Sequence, residues 1–96
     1  MSGSGELGEF LRARRAAIGP AELGLPPGVT PRRVPGLRRE ELAVLAGVSV
    51  DYYARLEQGR VRTASEALCA KLSAVLRLDG DESARLRTLA RRGGRR

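Results

Sequence analysis

Hydrophobic residues along the chain recur at spacings of three and four positions. The first such stripe consists of Leu7, Phe10, Leu11 and Ile18, and runs of Leu and Ala keep the same spacing toward the C-terminus. This period is typical of amphipathic α-helices, and no segment shows the sustained two-residue alternation of a half-buried strand. We therefore predict an all-α fold made of five helices.

Start and stop signals give the bounds of the first three helices. We predict them over about 6–17, from just after 37 to 46, and over 49–58. Ser4 is a candidate N-cap for the first helix and Ser49 for the third, because a serine oxygen can accept a backbone N–H of the first turn. Gly47 can adopt the left-handed conformation that a tight turn between two helices requires, and Gly59 is the next stop signal.

The last two predicted helices begin with acidic start signals. Thr63-Ala-Ser-Glu66 fits the capping box, and Asp79-Gly-Asp-Glu82 offers two candidate caps. Cys69 lies beside the apolar stripe of the fourth helix, so we expect a small core residue rather than a redox sensor. The stripes of these two helices consist of Leu68, Leu72, Val75 and Leu76, and of Leu86, Leu89 and Ala90.

Between the first two helices lies a segment, 19–36, that contains five prolines and four glycines. This composition interrupts regular structure, so we predict a connecting loop. Loops of this length in small domains are more often functional or mobile than inert. Arg32 and Arg33, framed by Pro31 and Pro35, are a candidate basic arm that would follow a nucleic-acid backbone or enter a minor groove. The alternative is a plain solvated loop.

Composition limits the classes of function. A chain of 96 residues forms one small domain, which we place at 1–92, followed by a basic disordered tail at 93–96. It has no histidine and one cysteine, so we expect no metal site, no cofactor, no disulfide and no enzyme activity. No run of 18 apolar residues exists, and the N-terminus lacks a charged start followed by an apolar stretch, so we expect no membrane span, no secretory signal and a cytoplasmic protein.

The net charge of +7 indicates a partner that carries phosphates, either nucleic acid or an anionic membrane. All but one of the 18 basic residues are arginine. An alternative explanation of the arginine excess is the codon bias of a high-GC genome.

The second and third predicted helices are joined by only three or four residues that include Gly47, the connection found in a helix-turn-helix. We place this motif at 38–59. Ala43 is small where the third helix must approach the second. Apolar or small residues occupy the positions of a shared core at Leu42, Ala46, Val48, Tyr53 and Leu56.

The segment REELAVLAGVSVDYYARLEQGR resembles the helix-turn-helix of the XRE and phage-repressor class. Together with LGEFLRARR and RRVPGLRREEL, it is similar to the DNA-binding half of MmyB-type regulators of high-GC bacteria. The resemblance covers roughly residues 7–90 and implies a phage-repressor-like domain. Members of that branch usually continue into a PAS-like domain that binds a small hydrophobic ligand, and this chain stops where that domain would begin. We therefore expect either a fragment of a longer ligand-sensing regulator or a stand-alone reader, with the small-molecule sensor domain absent from this chain.

In the resembled fold, the third helix enters the major groove by its N-terminal end. This placement implies that the base-reading residues are Val50, Asp51, Ala54 and Arg55. Arg55 can donate two hydrogen bonds to guanine, although a phosphate contact or a solvated charge would also suit it. Asp51 can accept from cytosine N4, or it only stabilises the helix N-terminus. Val50 can touch a thymine methyl group.

Contacts to the DNA backbone are expected on either side of this helix. The candidates are Arg38, Arg39, Ser49, Tyr52, Arg60 and Arg62. Glu57 lies near the helix C-terminus, where the helix dipole disfavours an acid, so a structural role is expected. The resemblance implies that it pairs with an arginine of the first helix, with Arg15 the best match and Arg14 second.

These observations predict a sequence-specific double-stranded DNA-binding transcriptional regulator of the bacterial nucleoid. One such module reads few base pairs, so we expect a homodimer on two half-sites, with leucines of the fifth helix as the dimer surface. One alternative is a protein-docking or antitoxin-like module. Another is a non-specific DNA-compacting protein.

Overall fold

A computed structural model describes residues 5–19 and 36–92 of the chain. Within these ranges it has five helices and no strand: α1 (Gly5–Ala17), α2 (Arg39–Ala46), α3 (Val50–Glu57), α4 (Glu66–Val75) and α5 (Gly80–Arg92). The predicted all-α class is confirmed. The predictions for Ser4, for Arg32 and Arg33, for most of the loop and for the tail at 93–96 fall outside the described residues.

The turn between α2 and α3 forms as predicted. Gly47 has a φ of 76°, and its N–H bonds to the carbonyl of Val44 while that of Val48 bonds to Ala43. This left-handed conformation favours glycine because a Cβ there costs free energy. Ser49 then caps α3, since its Oγ accepts the backbone N–H of Tyr52 at 3.0 Å. The chain thus changes direction within three residues.

The predicted capping box at the start of α4 is wrong. The N-cap is Ser65, whose Oγ accepts the N–H of Leu68 at 3.1 Å. A serine two residues after Thr63 supplies an equally good acceptor, and the later start leaves Thr63 and Ala64 outside the helix. Ala64 packs against the core. Glu66 becomes the first residue of the helix, where the helix dipole favours an acid.

The start of α5 matches one of its two predicted caps. Asp79 Oδ1 accepts the N–H of Glu82 at 2.8 Å, and Glu82 Oε1 accepts the N–H of Asp79 at 3.0 Å. This reciprocal pair is a capping box. Glu82 also lies 3.3 Å from Arg14 Nη1, which connects the start of α5 to α1.

The helices pack around one apolar core, in which α3 contacts α1 and α2, and α5 contacts α1 and α4. The expected stripes are buried, with Val75, Phe10 and Val48 partly so. Leu86 and Leu89 of α5 are 0% and 3% exposed. The predicted dimer surface is therefore wrong, because the packing of α5 on α1 and α4 already uses these leucines.

Cys69 is also in the core, as predicted. Burial, and secondarily the charge of Glu66, raises the pKa of its thiol. A buried thiol that stays protonated is a small apolar side chain in its packing.

Candidate nucleic-acid interface

The third helix has one side in the core and one side in solvent. Tyr53, Leu56 and Glu57 are fully buried. Of the four predicted base-reading residues, Val50, Asp51 and Arg55 are exposed, whereas Ala54 is half-buried. Helical spacing explains the division, because positions three and four apart share a face. The structure therefore brings three of the predicted readers together on the free side of α3.

Asp51 and Arg55 form an ion pair on that side. Arg55 Nη2 donates to Asp51 Oδ2 at 2.7 Å. The side chain of Arg55 is 51% exposed and that of Asp51 is 75% exposed. Their spacing of four residues, with the acid nearer the N-terminus, is the favourable arrangement on a helix. Sequence reasoning treated the two residues as separate readers, although this spacing could have revealed the contact.

The two residues at the start of α3 that are predicted to contact DNA phosphates, Ser49 and Tyr52, differ in exposure and packing. Ser49 is exposed, and its Oγ acts as an acceptor in the cap, so its hydroxyl proton remains available for a phosphate oxygen. Tyr52 is half-buried and packs against the core. Its position is therefore fixed by the fold.

The arginines that flank the motif lie at the ends of helices. Arg38 is the half-buried N-cap residue of α2, where its N–H donates to Glu41 Oε1 at 2.8 Å. Arg60 and Arg62 follow α3 and are exposed. Arg62 Nε makes only a long contact of 3.4 Å with the carbonyl of Gly59. These cations are placed beside the two helices of the motif, as phosphate contacts would require.

Glu57 is 0% exposed and is the centre of a buried ion cluster. Its carboxylate accepts from Arg15 Nε at 2.6 Å, from Arg15 Nη2 at 3.0 Å and from Arg39 Nε at 3.0 Å. Arg15 also donates from Nη1 to the carbonyl of Leu37 at 2.9 Å. We call Glu57, Arg15 and Arg39 the Glu57 cluster. It joins the end of α3 to α1 and to the start of α2.

The cluster contains the pair that the resemblance implied, Arg15 with Glu57, rather than the second choice, Arg14. It also contains Arg39, for which the sequence predicted a phosphate contact. The side chain of Arg39 is 37% exposed, and its Nε is used by Glu57. This contact was missed because nothing in the linear sequence indicates that the start of α2 meets the end of α3.

Electrostatics keeps Glu57 ionised. Burial by itself would raise the pKa of Glu57, but polar contacts from Arg15, Tyr53 and Arg39, together with the charge of the Arg15 guanidinium, outweigh burial, so the pKa is lowered. The hydroxyl of neighbouring Tyr53 is buried without a hydrogen bond of ordinary geometry in the described part of the chain. Burial and the Glu57 carboxylate both raise the pKa of Tyr53. The cluster thus consists of charged partners beside a protonated tyrosine.

Two glycines allow the close approach of α1 to the motif. A Cβ at Gly8 would collide with the backbone carbonyl of Glu57, and a Cβ at Gly36 would lie 2.5 Å from the carbonyl of Arg15. Leu37 then donates its N–H to the same carbonyl at 3.1 Å. Sequence reasoning missed both positions, since Gly8 within a helical pattern has no turn to explain it.

Two other kinds of site are absent from residues 5–19 and 36–92. No helix there is both long and apolar enough to cross a membrane. No grouping of acidic residues and cysteine within 5–19 and 36–92 is suited to hold a metal ion.

Comparison with known proteins identifies the motif. A family model described as a helix-turn-helix domain matches residues 6–86, which include all of α2, α3 and α4 and much of α5. No curated protein and no solved structure matches the chain. In helix-turn-helix domains, the second helix of the motif is the one that lies in the major groove. In this chain α3 is the second helix of the motif. Because the family model matches most of the chain, the chain belongs to this family of helix-turn-helix DNA-binding domains.

Proposed function

We propose that this domain is a sequence-specific reader of double-stranded DNA and a transcriptional regulator of the XRE and phage-repressor type. The observation that carries the proposal is the division of α3. Its inner side is fixed by the Glu57 cluster and by Tyr53 and Leu56 in the core. Its outer side presents Val50 and the Asp51–Arg55 pair. A helix held rigidly with varied side chains outward suits base reading.

The two kinds of exposed side chain match different base edges. Val50 and half-buried Ala54 lie four residues apart and make an apolar row, which fits the methyl group of thymine. Asp51 and Arg55 make a charged row beside it, and a guanidinium can donate to O6 and N7 of guanine. A helix that binds phosphates alone would not benefit from an exposed acid at its tip. The mixture therefore favours sequence reading over non-specific compaction.

Phosphate contacts would come from Arg38, Arg60, Arg62 and the Ser49 hydroxyl, with Arg39 available through the part of its guanidinium that Glu57 does not use. If roughly four to five phosphates are neutralised, the logarithm of the binding constant should fall against the logarithm of salt concentration with a slope of about −3.6 to −4.5. Binding as a pair of copies to half-sites about 34 to 36 Å apart is also part of the proposal.

Selection from a random pool of duplex DNA at near-physiological salt tests this function. The wild-type protein should enrich a defined sequence, and Arg55→Ala should lose the preference at one position of that sequence. Arg85→Ala is the matched control, because it removes an equal charge from an exposed residue of α5. If the wild-type protein enriches no sequence yet binds duplexes, the domain is a non-specific binder. If it binds no duplex and captures a protein instead, it is a docking module.

A further inference from the structure

The Asp51–Arg55 contact has a consequence for specificity. We infer that Asp51 is a positioning residue for Arg55, so that the two side chains read one guanine as a unit. The inference rests on the proposed function and specifies how α3 would discriminate bases. It differs from the reading in which Asp51 contacts its own base.

The geometry leaves Arg55 able to bind a base while it is held. A guanidinium has five N–H donors in a planar fork, and Asp51 occupies one of them through Nη2 at 2.7 Å. The remaining donors include the pair needed for the O6 and N7 atoms of guanine. Because the side chain is 51% exposed, those donors are accessible on the solvent side of the helix.

Holding the guanidinium matters because arginine is long and flexible. A free arginine would lose its rotamer freedom when it bound a base, and it would bind a nearby phosphate without that directional demand. Contact with Asp51 orders the guanidinium before DNA arrives. It also places a negative charge beside it, which disfavours the alternative position against a phosphate oxygen. Both effects favour the base over the backbone.

The pair is weak in water and should strengthen at the interface. An exposed ion pair contributes little to folding stability, and salt screens it. When α3 enters a groove, water leaves and the effective dielectric constant falls, so the attraction between Asp51 and Arg55 increases. A desolvated Asp51 then needs a partner, and Arg55 already provides one. The Asp51–Arg55 ion pair therefore orients Arg55 more strongly in the DNA complex than in the free protein.

A double-mutant cycle tests the inference on duplexes enriched by the wild-type protein. The guanine position is the one whose preference disappears in Arg55→Ala. At that position, the ratio of Kd values for the other bases and guanine is measured for the wild type, for Asp51→Ala, for Asp51→Asn, for Arg55→Ala and for the double variant Asp51→Ala/Arg55→Ala. Asp81→Asn is the matched control, because Asp81 is exposed at the start of α5 and its loss changes the net charge equally.

The wild type should discriminate by roughly 5- to 150-fold at this position, and Arg55→Ala should abolish it. Asp51→Ala should lose most of the same discrimination, and in the Arg55→Ala background it should change nothing further. Asp51→Asn should retain part, because its amide oxygen still accepts from Arg55. Affinity for unrelated duplexes should rise in Asp51→Ala, because Arg55 is then free to bind a phosphate, and should stay close to the wild-type value in Asp81→Asn. A role limited to stabilising the helix would not produce this pattern.

Two results would overturn the inference and leave the proposed function standing. One is undiminished guanine discrimination in Asp51→Ala. The other is that Asp51→Ala loses base preference at a different position of the DNA site, and that this loss is equally large in the wild-type and Arg55→Ala backgrounds. Asp51 would then read its own base. Failure of the wild-type protein to select any sequence is a distinct result, which refutes the proposed function itself.

Discussion

Replacing Glu57 by glutamine tests the buried ion cluster, because the side chain keeps its size and loses its charge. The carboxylate accepts three hydrogen bonds, two at Oε1 from Arg15 and Arg39, and one at Oε2 from Arg15. A glutamine has one acceptor oxygen and turns an NH2 group toward a guanidinium. At least one hydrogen bond is lost, and donors face each other. Arg15, whose side chain is 14% exposed, is left without a counter-charge in the core.

Breaking a buried ion pair by removing one partner costs about 3 to 5 kcal/mol. Arg39 is 37% exposed and can turn toward water, so we expect the lower end, about 3 kcal/mol, for Glu57→Gln. A domain of this size unfolds with a free energy of only about 5 to 15 kcal/mol. The same loss corresponds to a decrease in Tm of about 12 to 24 °C. Replacing Arg39 alone by alanine should lower the free energy of unfolding by at most about 1 kcal/mol.

The measurement is urea unfolding followed by far-UV circular dichroism. Glu9→Gln is the matched control, because Glu9 is exposed on α1 and should change the free energy of unfolding by less than about 0.5 kcal/mol. The double variant Arg15→Met/Glu57→Leu removes both charges and should recover much of the loss. If the free energy of unfolding of Glu57→Gln lies within about 1 kcal/mol of the wild-type value, the Glu57 cluster does not hold α3 against α1 and α2.

Three further outcomes follow from the same contacts. The lowered pKa of Glu57 stabilises the fold above its unfolded value of about 4.3, and this contribution is lost as pH falls through the folded pKa, so acid titrations of stability should be flatter in Glu57→Gln. Gly8→Ala should destabilise by about 1 to 3 kcal/mol in thermal melts, because the new methyl group meets the backbone of α3, whereas Gly19→Ala, with open space around it, should not. Ser65→Ala should cost about 1 kcal/mol in urea unfolding and Thr63→Ala much less, and equal effects would refute the cap assignment.

The helices and the core could be predicted because they depend on local signals. The stripes of α4 and α5, the left-handed Gly47 and the cap at Ser49 all follow from hydrophobic spacing and turn chemistry. The capping-box pattern predicts a start of α4 two residues before the observed one, because Thr63 and Ser65 are both good caps and only packing of the intervening segment decides between them. Local rules cannot rank two acceptable starts.

The candidate site depended more on contacts between distant parts of the chain. Exposure of Val50, Asp51 and Arg55 follows from helical spacing once the buried side is known. The contact of Arg39 with Glu57 cannot be predicted from helical spacing, because it requires the start of α2 to meet the end of α3. The prediction of a dimer surface on α5 failed for a related reason. An apolar stripe does not say whether its partner is another helix of the same chain or a second copy.

The two acids of α3 show why residue type alone does not assign a role. Glu57 is fully buried with two arginines around it, so its removal should lower the free energy of unfolding whether or not DNA is present. Asp51 is 75% exposed with one arginine beside it, so its removal should barely change stability and should act on base preference. Measuring unfolding and discrimination on both Glu57→Gln and Asp51→Ala separates anchoring from reading. A large stability loss in Asp51→Ala, or intact stability with altered base preference in Glu57→Gln, would reverse this division of α3 into an inner and an outer side.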